Sequence, residues 1–297
     1  MVTTGVIGLG AIGSRLARNL LDSEFETVVF DIREEAVAEL VERGAVEATD
    51  AGAVARQSDV VLLSLPAPDH VIAVFEEIET HLQPGDTLVD ATTSTPETTN
   101  EIAARLAERD VHVLGAPISG TKSAVESGDV TVMVGGDSSV LDESRPVLES
   151  FAASIRHVGP EPGHGHAMKL INNFVAFSTF VATSEAVVLG QQAGMDLETM
   201  IDTLNESSGR SFASEFIFPE QIMNDRFDME FPLALASKDI KLYNHFGNAT
   251  GTPIFVASLV QQLIDAARVG RGGETDYTRT YDFIAEQMTG DPDPATK

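Results

Sequence analysis

Val6-Ile7-Gly8-Leu9-Gly10-Ala11-Ile12-Gly13-Ser14-Arg15-Leu16-Ala17-Arg18-Asn19-Leu20 decides the fold of this chain. A β-branched pair runs into a glycine-punctuated turn, and the turn opens a helical run from Ser14 to Asp22. The G-x-G-x-x-G spacing alone is weak, but here it follows a strand, starts a helix and is followed by an acidic residue, Asp31, closing the next strand. Gly8 permits the tight turn, Gly10 the approach of a pyrophosphate and Gly13 the packing of helix on strand. The free N–H groups at the helix start, around Ala11 and Ile12, present a positive end to phosphate. Asp31 accepts the adenosine ribose hydroxyls and disfavours a 2′-phosphate, so NAD is the expected cofactor. Arg33, two residues on, keeps NADP as the alternative.

Outward from this turn, Thr27–Phe30, Val60–Leu63, Thr87–Val89 and Val111–Leu114 alternate with helical stretches. That rhythm predicts a doubly wound parallel sheet. Thr131–Val134 and Ile155–Val158 continue it to about residue 160. After Pro160 and Pro162 the strand signal stops, and an apolar stretch from His166 to about Ala193 reads as one long helix. Polar residues such as Asn172, Asn173, Thr183 and Glu185 argue for a buried central helix over a membrane span. Further helical patterns follow at 197–207, 212–225, 233–249, 253–269 and 277–289. The expected architecture is an α/β Rossmann-type doubly wound sheet domain, residues 1–162, followed by an all-α domain, residues 163–297. The tail Asp291-Pro292-Asp293-Pro294 reads as polar and disordered.

Composition narrows the chemistry. The 297 residues include no cysteine, which excludes thiolate nucleophiles and Cys-ligated metal sites. With 46 acidic against 19 basic residues the formal net charge is −27, which disfavours nucleic acid as a partner. Ordinary apolar content at this charge suits a cytoplasm of high salt, where repulsion between carboxylates is screened. Met1-Val2-Thr3-Thr4 lacks the basic n-region of a signal peptide. Lysine occurs five times, at Lys122, Lys169, Lys238, Lys241 and Lys297, and four of the five fall in or beside the motifs below, which favours specific roles for them.

Four segments in order carry a resemblance. They are the opening glycine turn, Gly115-Ala116-Pro117-Ile118-Ser119-Gly120, Gly163-His164-Gly165-His166-Ala167-Met168-Lys169-Leu170-Ile171-Asn172-Asn173, and Lys238-Asp239. Together they resemble the β-hydroxyacid dehydrogenases, the family of 3-hydroxyisobutyrate dehydrogenase and tartronate semialdehyde reductase. The resemblance implies hydride transfer between NAD and a small 3-hydroxy acid or its semialdehyde. It implies a substrate loop at Ser119, Gly120 and Thr121, whose backbone N–H groups receive the carboxylate, and dinucleotide contacts at Leu65, Pro66 and Thr93. It also implies that Lys238 packs on the nicotinamide side, and that the enzyme is a homodimer or homotetramer.

Lys169 and Asn173 lie four apart on one helix and share a face. Lys169 is the candidate acid/base, and Asn173 orients the hydroxyl or carboxylate. A lysine in that role needs its pKa brought toward neutrality, which partial burial and a second cation such as Lys238 provide. Two departures from the family bear on substrate choice: Thr121, followed by Lys122, stands where a second glycine is usual, and Phe212 where tryptophan is common. Arg210 reads either as an anchor for a distal group or as a structural ion pair. His164 and His166 flank Gly165 without sharing a helix face, so loop or structural roles are expected and no metal site. Other readings on this architecture are a 6-phosphogluconate- or imine-reductase-like enzyme and a catalytically silent dinucleotide-binding protein. Retention of both Lys169 and Asn173 argues against the last.

Overall fold

A computed structural model describes residues 2–290, apart from the side chains of Lys122 and Ser123. The proline-rich tail from Asp291 lies outside the described residues. The chain divides into two compact units, Met1–Lys169 and Leu170–Lys297.

Unit 1 runs β1 (Thr3–Ile7), α1 (Gly13–Asp22), β2 (Glu26–Phe30), α2 (Glu34–Glu42), β3 (Val46–Glu47), α3 (Ala51–Gln57), β4 (Val60–Leu63), α4 (Pro68–Ile78), β5 (Thr87–Asp90), α5 (Pro96–Leu106) and β6 (His112–Gly115). There follow β7 (Ile118–Ser119), α6 (Lys122–Glu126), β8 (Thr131–Gly135), α7 (Ser138–Glu149), β9 (Ser154–Gly159) and the start of α8 (Gly163–Gln192). One sheet has the order β3-β2-β1-β4-β5-β6-β8-β7, with β9 also on β8. All four residues of β4 are buried, as an unbroken apolar run should be in a strand covered on both faces. Helix α1 buries Gly13, Leu16, Ala17 and Leu20, a stripe at helical spacing.

The strands β1 to β6 pair in parallel, but β8 runs antiparallel to β6 and to β7. Two strands escaped the sequence reading, β3 and β7, because two residues carry no periodicity. The reversal has a length cause. The five residues of α6 rise about 7.5 Å, whereas the five of β8 extend about 16 Å, so this helix cannot carry the chain back along a strand.

Unit 2 comprises the rest of α8, α9 (Leu197–Asn205), α10 (Leu233–Ala249), α11 (Ala257–Arg271) and α12 (Thr280–Thr289), with a π-helical stretch Ala213–Ile222 between α9 and α10. That stretch was expected as an ordinary helix; Pro219 inside it has no N–H for the regular ladder, which favours the wider winding. An aromatic cluster fills the core: the Phe180 and Tyr277 rings are 5.4 Å apart and Phe218 and Tyr281 5.5 Å apart, both edge-to-face. Half of the most apolar 18-residue window of α8 is buried, which fits a central helix.

Candidate functional site

The three glycines of the opening turn differ in what surrounds them. Gly8 has φ +91°, and a Cβ there would stand 2.4 Å from the Ser64 carbonyl oxygen. A Cβ on Gly13 would meet the Gly8 carbonyl oxygen at 1.9 Å. Both are required by the protein's own backbone. A Cβ on Gly10 would meet nothing within 4 Å, so the fold does not explain this glycine. Helix α1 begins beside it with Ile12 at the N-cap, no side-chain capping bond and no acidic residue in its first turn. Side chains cap α3, α5, α7 and α9 (Asp50, Thr95, Asp137 and Asp196), whereas α1 shares its uncapped start with α2, α4, α10, α11 and α12, and the open glycine is what sets it apart. An uncapped helix start leaves backbone N–H groups without side-chain partners, the kind of donor a phosphate takes.

The turn lies between β1 and β4, where the strand order reverses and α/β sheets take their ligands. Leu65 donates its backbone N–H to Thr92 Oγ1 at 3.1 Å, which joins the loops after β4 and β5. Leu65, exposed Pro66 and half-buried Thr93 therefore stand at neighbouring strand ends. Asp31 follows β2 directly and accepts the Leu9 N–H at 2.6 Å. Arg33 pairs with it through both backbone and guanidinium. Burial raises the Asp31 pKa, but the bonds from Arg33 and Leu9 outweigh it and hold the carboxyl below its ordinary value. Asp31 and Arg33 thus stand together beside the glycine turn, a carboxylate and a guanidinium within reach of its backbone.

The candidate substrate loop is in the same unit. Ser119 ends β7, exposed Gly120 follows, and a Cβ there would strike Val130 Cγ1 at 2.6 Å. Thr121, the first departure, caps α6: its Oγ1 accepts the Ala124 N–H at 3.2 Å. Asn19 of α1 donates to the Val125 carbonyl at 2.8 Å, tying α6 to the dinucleotide helix.

Helix α8 enters unit 1 across a seam of glycines. A Cβ on Gly165 would lie 2.0 Å from the Gly115 carbonyl oxygen and one on Gly135 2.5 Å from the Gly165 nitrogen. His166 is wholly buried, with Nε2 3.4 Å from Asp90 Oδ2. Burial pushes its imidazole below the ordinary value, against Asp90 and the Thr92 backbone, which raise it. His164 is exposed in the first turn of α8 and accepts the Glu161 N–H at 3.3 Å. No cluster of three potential metal ligands exists among the described residues. Lys169, half-buried, follows His166 by three positions and is the last residue of unit 1.

In unit 2, Asn173 is buried and donates Nδ2 to Asp239 Oδ2 at 2.8 Å. Lys238 Nζ lies 3.2 Å from Asp239 Oδ1. The second departure, Phe212, is exposed and stacks on Phe216 with ring centres 5.1 Å apart. Arg210 stands 3.5 Å from Glu215, with both side chains exposed. Two acids were missed as site residues, Asp239 and Asp90. Asp239 lies on the stripe Leu233, Ala236, Ile240, Asn244 of α10, and Asp90 ends the fully buried β5. In a chain with 46 acids, one falling on an apolar face was the available signal.

Comparison with known proteins gives a consistent result. Residues 3–159 match the NAD binding domain of 6-phosphogluconate dehydrogenase, and residues 163–284 match the family described as NAD-binding of NADP-dependent 3-hydroxyisobutyrate dehydrogenase. The chain is 32% identical to 2-(hydroxymethyl)glutarate dehydrogenase of Eubacterium barkeri, over 97% of this chain and 96% of that one. It is also 32% identical to the NAD-dependent L-serine dehydrogenase of Pseudomonas aeruginosa, over 86% and 89%. Among solved structures, 3-hydroxyisobutyrate dehydrogenase of Mycobacterium tuberculosis with L-serine superposes at a TM-score of 0.91 with 26% identity, covering 96% of this chain and 99% of that one.

Proposed function

The chain belongs to the β-hydroxyacid dehydrogenase family as an NAD(P)-dependent 3-hydroxyacid dehydrogenase, and on that premise we propose that Lys169 is its general acid/base. The preferred cofactor is NAD, and the substrate is a small 3-hydroxy acid of the 3-hydroxyisobutyrate class or its semialdehyde. The seating of the helical turn before Lys169 carries this reading: Gly165 and His166 lie against Gly115 and Asp90 at the ends of β6 and β5, in the unit that holds the glycine turn.

A bound nicotinamide supplies the hydride acceptor for oxidation and the donor for reduction. The chain does the rest. Backbone N–H groups of Ser119, Gly120 and Thr121 receive the substrate carboxylate. Lys169 Nζ, as the amine, takes the hydroxyl proton in oxidation and, as the ammonium, returns it in reduction. Asn173 orients the substrate oxygen, and Lys238 packs on the nicotinamide side. Gly8, Gly10, Ala11, Ile12 and Gly13 hold the pyrophosphate, Asp31 the ribose, and Leu65, Pro66 and Thr93 the remainder of the dinucleotide.

The setting in this reading is a salt-rich cytoplasm, which the net charge of −27 supports. The assembly is a homodimer or homotetramer built through the helical unit. Exposed Val175, Leu189, Phe255, Leu259 and Val269 support that, since a lone helical unit leaves them to water. The test is a turnover screen at molar salt with NAD and NADP, using 3-hydroxyisobutyrate, glycerate, serine, 6-phosphogluconate and a cyclic imine. The small 3-hydroxy acids should turn over with NAD. Activity confined to the sugar acid or the imine would overturn the reading.

A further inference from the structure

Asp31 holds four hydrogen-bond donors, two on each oxygen. Oδ2 accepts the Leu9 N–H at 2.6 Å and Arg33 Nη2 at 3.1 Å, while Oδ1 accepts the Arg33 N–H at 2.9 Å and Arg33 Nε at 3.0 Å. A carboxylate offers about four lone-pair sites, so the chain itself fills this acceptor. The two backbone donors are fixed by the fold. The two guanidinium donors belong to a side chain that is 50% exposed, whereas the Asp31 side chain is 8% exposed. Arg33 Nη2 also donates to the Leu9 carbonyl at 3.1 Å, which ties the guanidinium to the glycine turn.

We propose that Arg33 is a specificity latch: its guanidinium donates to Asp31 the two bonds that a ribose diol would donate, and NAD must displace it to bind. The proposal rests on the reading of Asp31 as the ribose acceptor. A diol and a guanidinium fork compete for the same two lone pairs, so Arg33 lowers NAD affinity. Once released, the guanidinium stands beside the ribose and meets a 2′-phosphate with paired, charge-assisted bonds. One side chain therefore acts in opposite directions on the two cofactors, against NAD and for NADP.

Titration calorimetry of NAD and NADP on the unmodified protein, Arg33→Ala, Arg33→Lys and Asp31→Ser at one salt concentration tests this. Arg33→Ala should tighten NAD by about two- to fivefold, as expected for losing a partly exposed ion pair. It should weaken NADP by roughly tenfold or more, through loss of charge-assisted bonds. Arg33→Lys keeps the charge without the planar fork, so it should also tighten NAD while retaining more NADP affinity than the alanine variant. NAD affinity unchanged or weakened in both Arg33 variants overturns the latch. Asp31→Ser separates the two ideas: if it leaves NAD affinity intact, Asp31 is not the ribose acceptor and the underlying reading fails. If it weakens NAD while the Arg33 variants gain nothing, only the latch is lost.

Discussion

Asn173 donates its amide nitrogen to Asp239 over 2.8 Å between two buried side chains, and this fixes which way the amide faces. An ionised carboxylate only accepts, so Nδ2 must point at Asp239, leaving Oδ1 for other donors such as Asn172 Nδ2 at 3.3 Å. Asp239→Ala should strand a buried donor, at a cost of about 1–3 kcal/mol. Asp239→Asn keeps an acceptor and should recover most of that loss. Thermal unfolding of the pair is the check, and an alanine variant as stable as the parent would contradict the orienting role.

The opening glycines should separate folding from binding. Gly13→Ala pushes a methyl into the Gly8 carbonyl and should cost about 1–3 kcal/mol of stability. Gly10→Ala meets nothing in the protein, so stability should stay within roughly 0.5 kcal/mol. Its NAD affinity should nevertheless drop about tenfold or more, equivalent to roughly 1.4 kcal/mol. Melting curves and calorimetry on both variants would show whether the two effects separate or travel together.

Legibility in the sequence followed periodicity and spacing. The glycine turn, the parallel strands β1, β2, β4, β5 and β6 and the long helix α8 were all readable, because each spans enough residues to show a pattern. The strands β3 and β7 and the antiparallel entry of β8 were not, since two-residue strands have no period and direction depends on the length of a connection. Among side chains, Asp31, Lys169 and Asn173 were named from motif spacing. Asp239 was quoted only as the neighbour of Lys238 and Asp90 was given no role, because their partners, Asn173 and His166, are 66 and 76 positions away. Arg33 was read only as the residue that keeps NADP as the alternative, and the folded chain shows it bound to Asp31.

Lys169→Ala should lower turnover by at least about 10²-fold, the lower bound for a positioned acid/base group. NAD affinity should barely change, because the proposed pyrophosphate and ribose contacts are at Gly8, Gly10, Gly13 and Asp31. Asn173→Ala should lose less, through misorientation of substrate. Turnover and NAD binding are to be measured on the same folded samples. Near-normal turnover in the Lys169 variant would remove it from the mechanism.

Acid should destabilise the fold partly through His166. Burial holds its folded pKa below the ordinary 6.5, so just below that pH the unfolded chain binds a proton that the folded chain refuses. Stability is therefore present above pH 6.5 and is lost as pH falls toward the folded value, below which the loss stops. The drop in unfolding temperature between pH 7 and pH 5 should shrink in His166→Asn relative to the parent. The many carboxylates act alike in both proteins, so the difference isolates the imidazole. Parallel curves would mean that His166 is protonated at no cost.

Dilution from molar salt to about 0.1 M lengthens the Debye distance from about 3 to about 10 Å, and the carboxylates then repel across the surface. Melting temperature and activity should both fall. Light scattering at molar salt should also show a dimer or larger species, and a lone 31.7 kDa particle would end the oligomer reading. An unchanged melting temperature on dilution would count against adaptation to salt.

The seam at Gly115, Gly135 and Gly165 also limits which pairs of substitutions can rescue one another. A side chain added at Gly190 would meet Met200 Sδ and Met195 Cε, both ends of flexible side chains, so a smaller residue at either place could make room. At the seam the nearest obstructing atom in each case is main-chain oxygen or nitrogen, which no second substitution can shorten. Compensation is open to the helical core and closed to the seam.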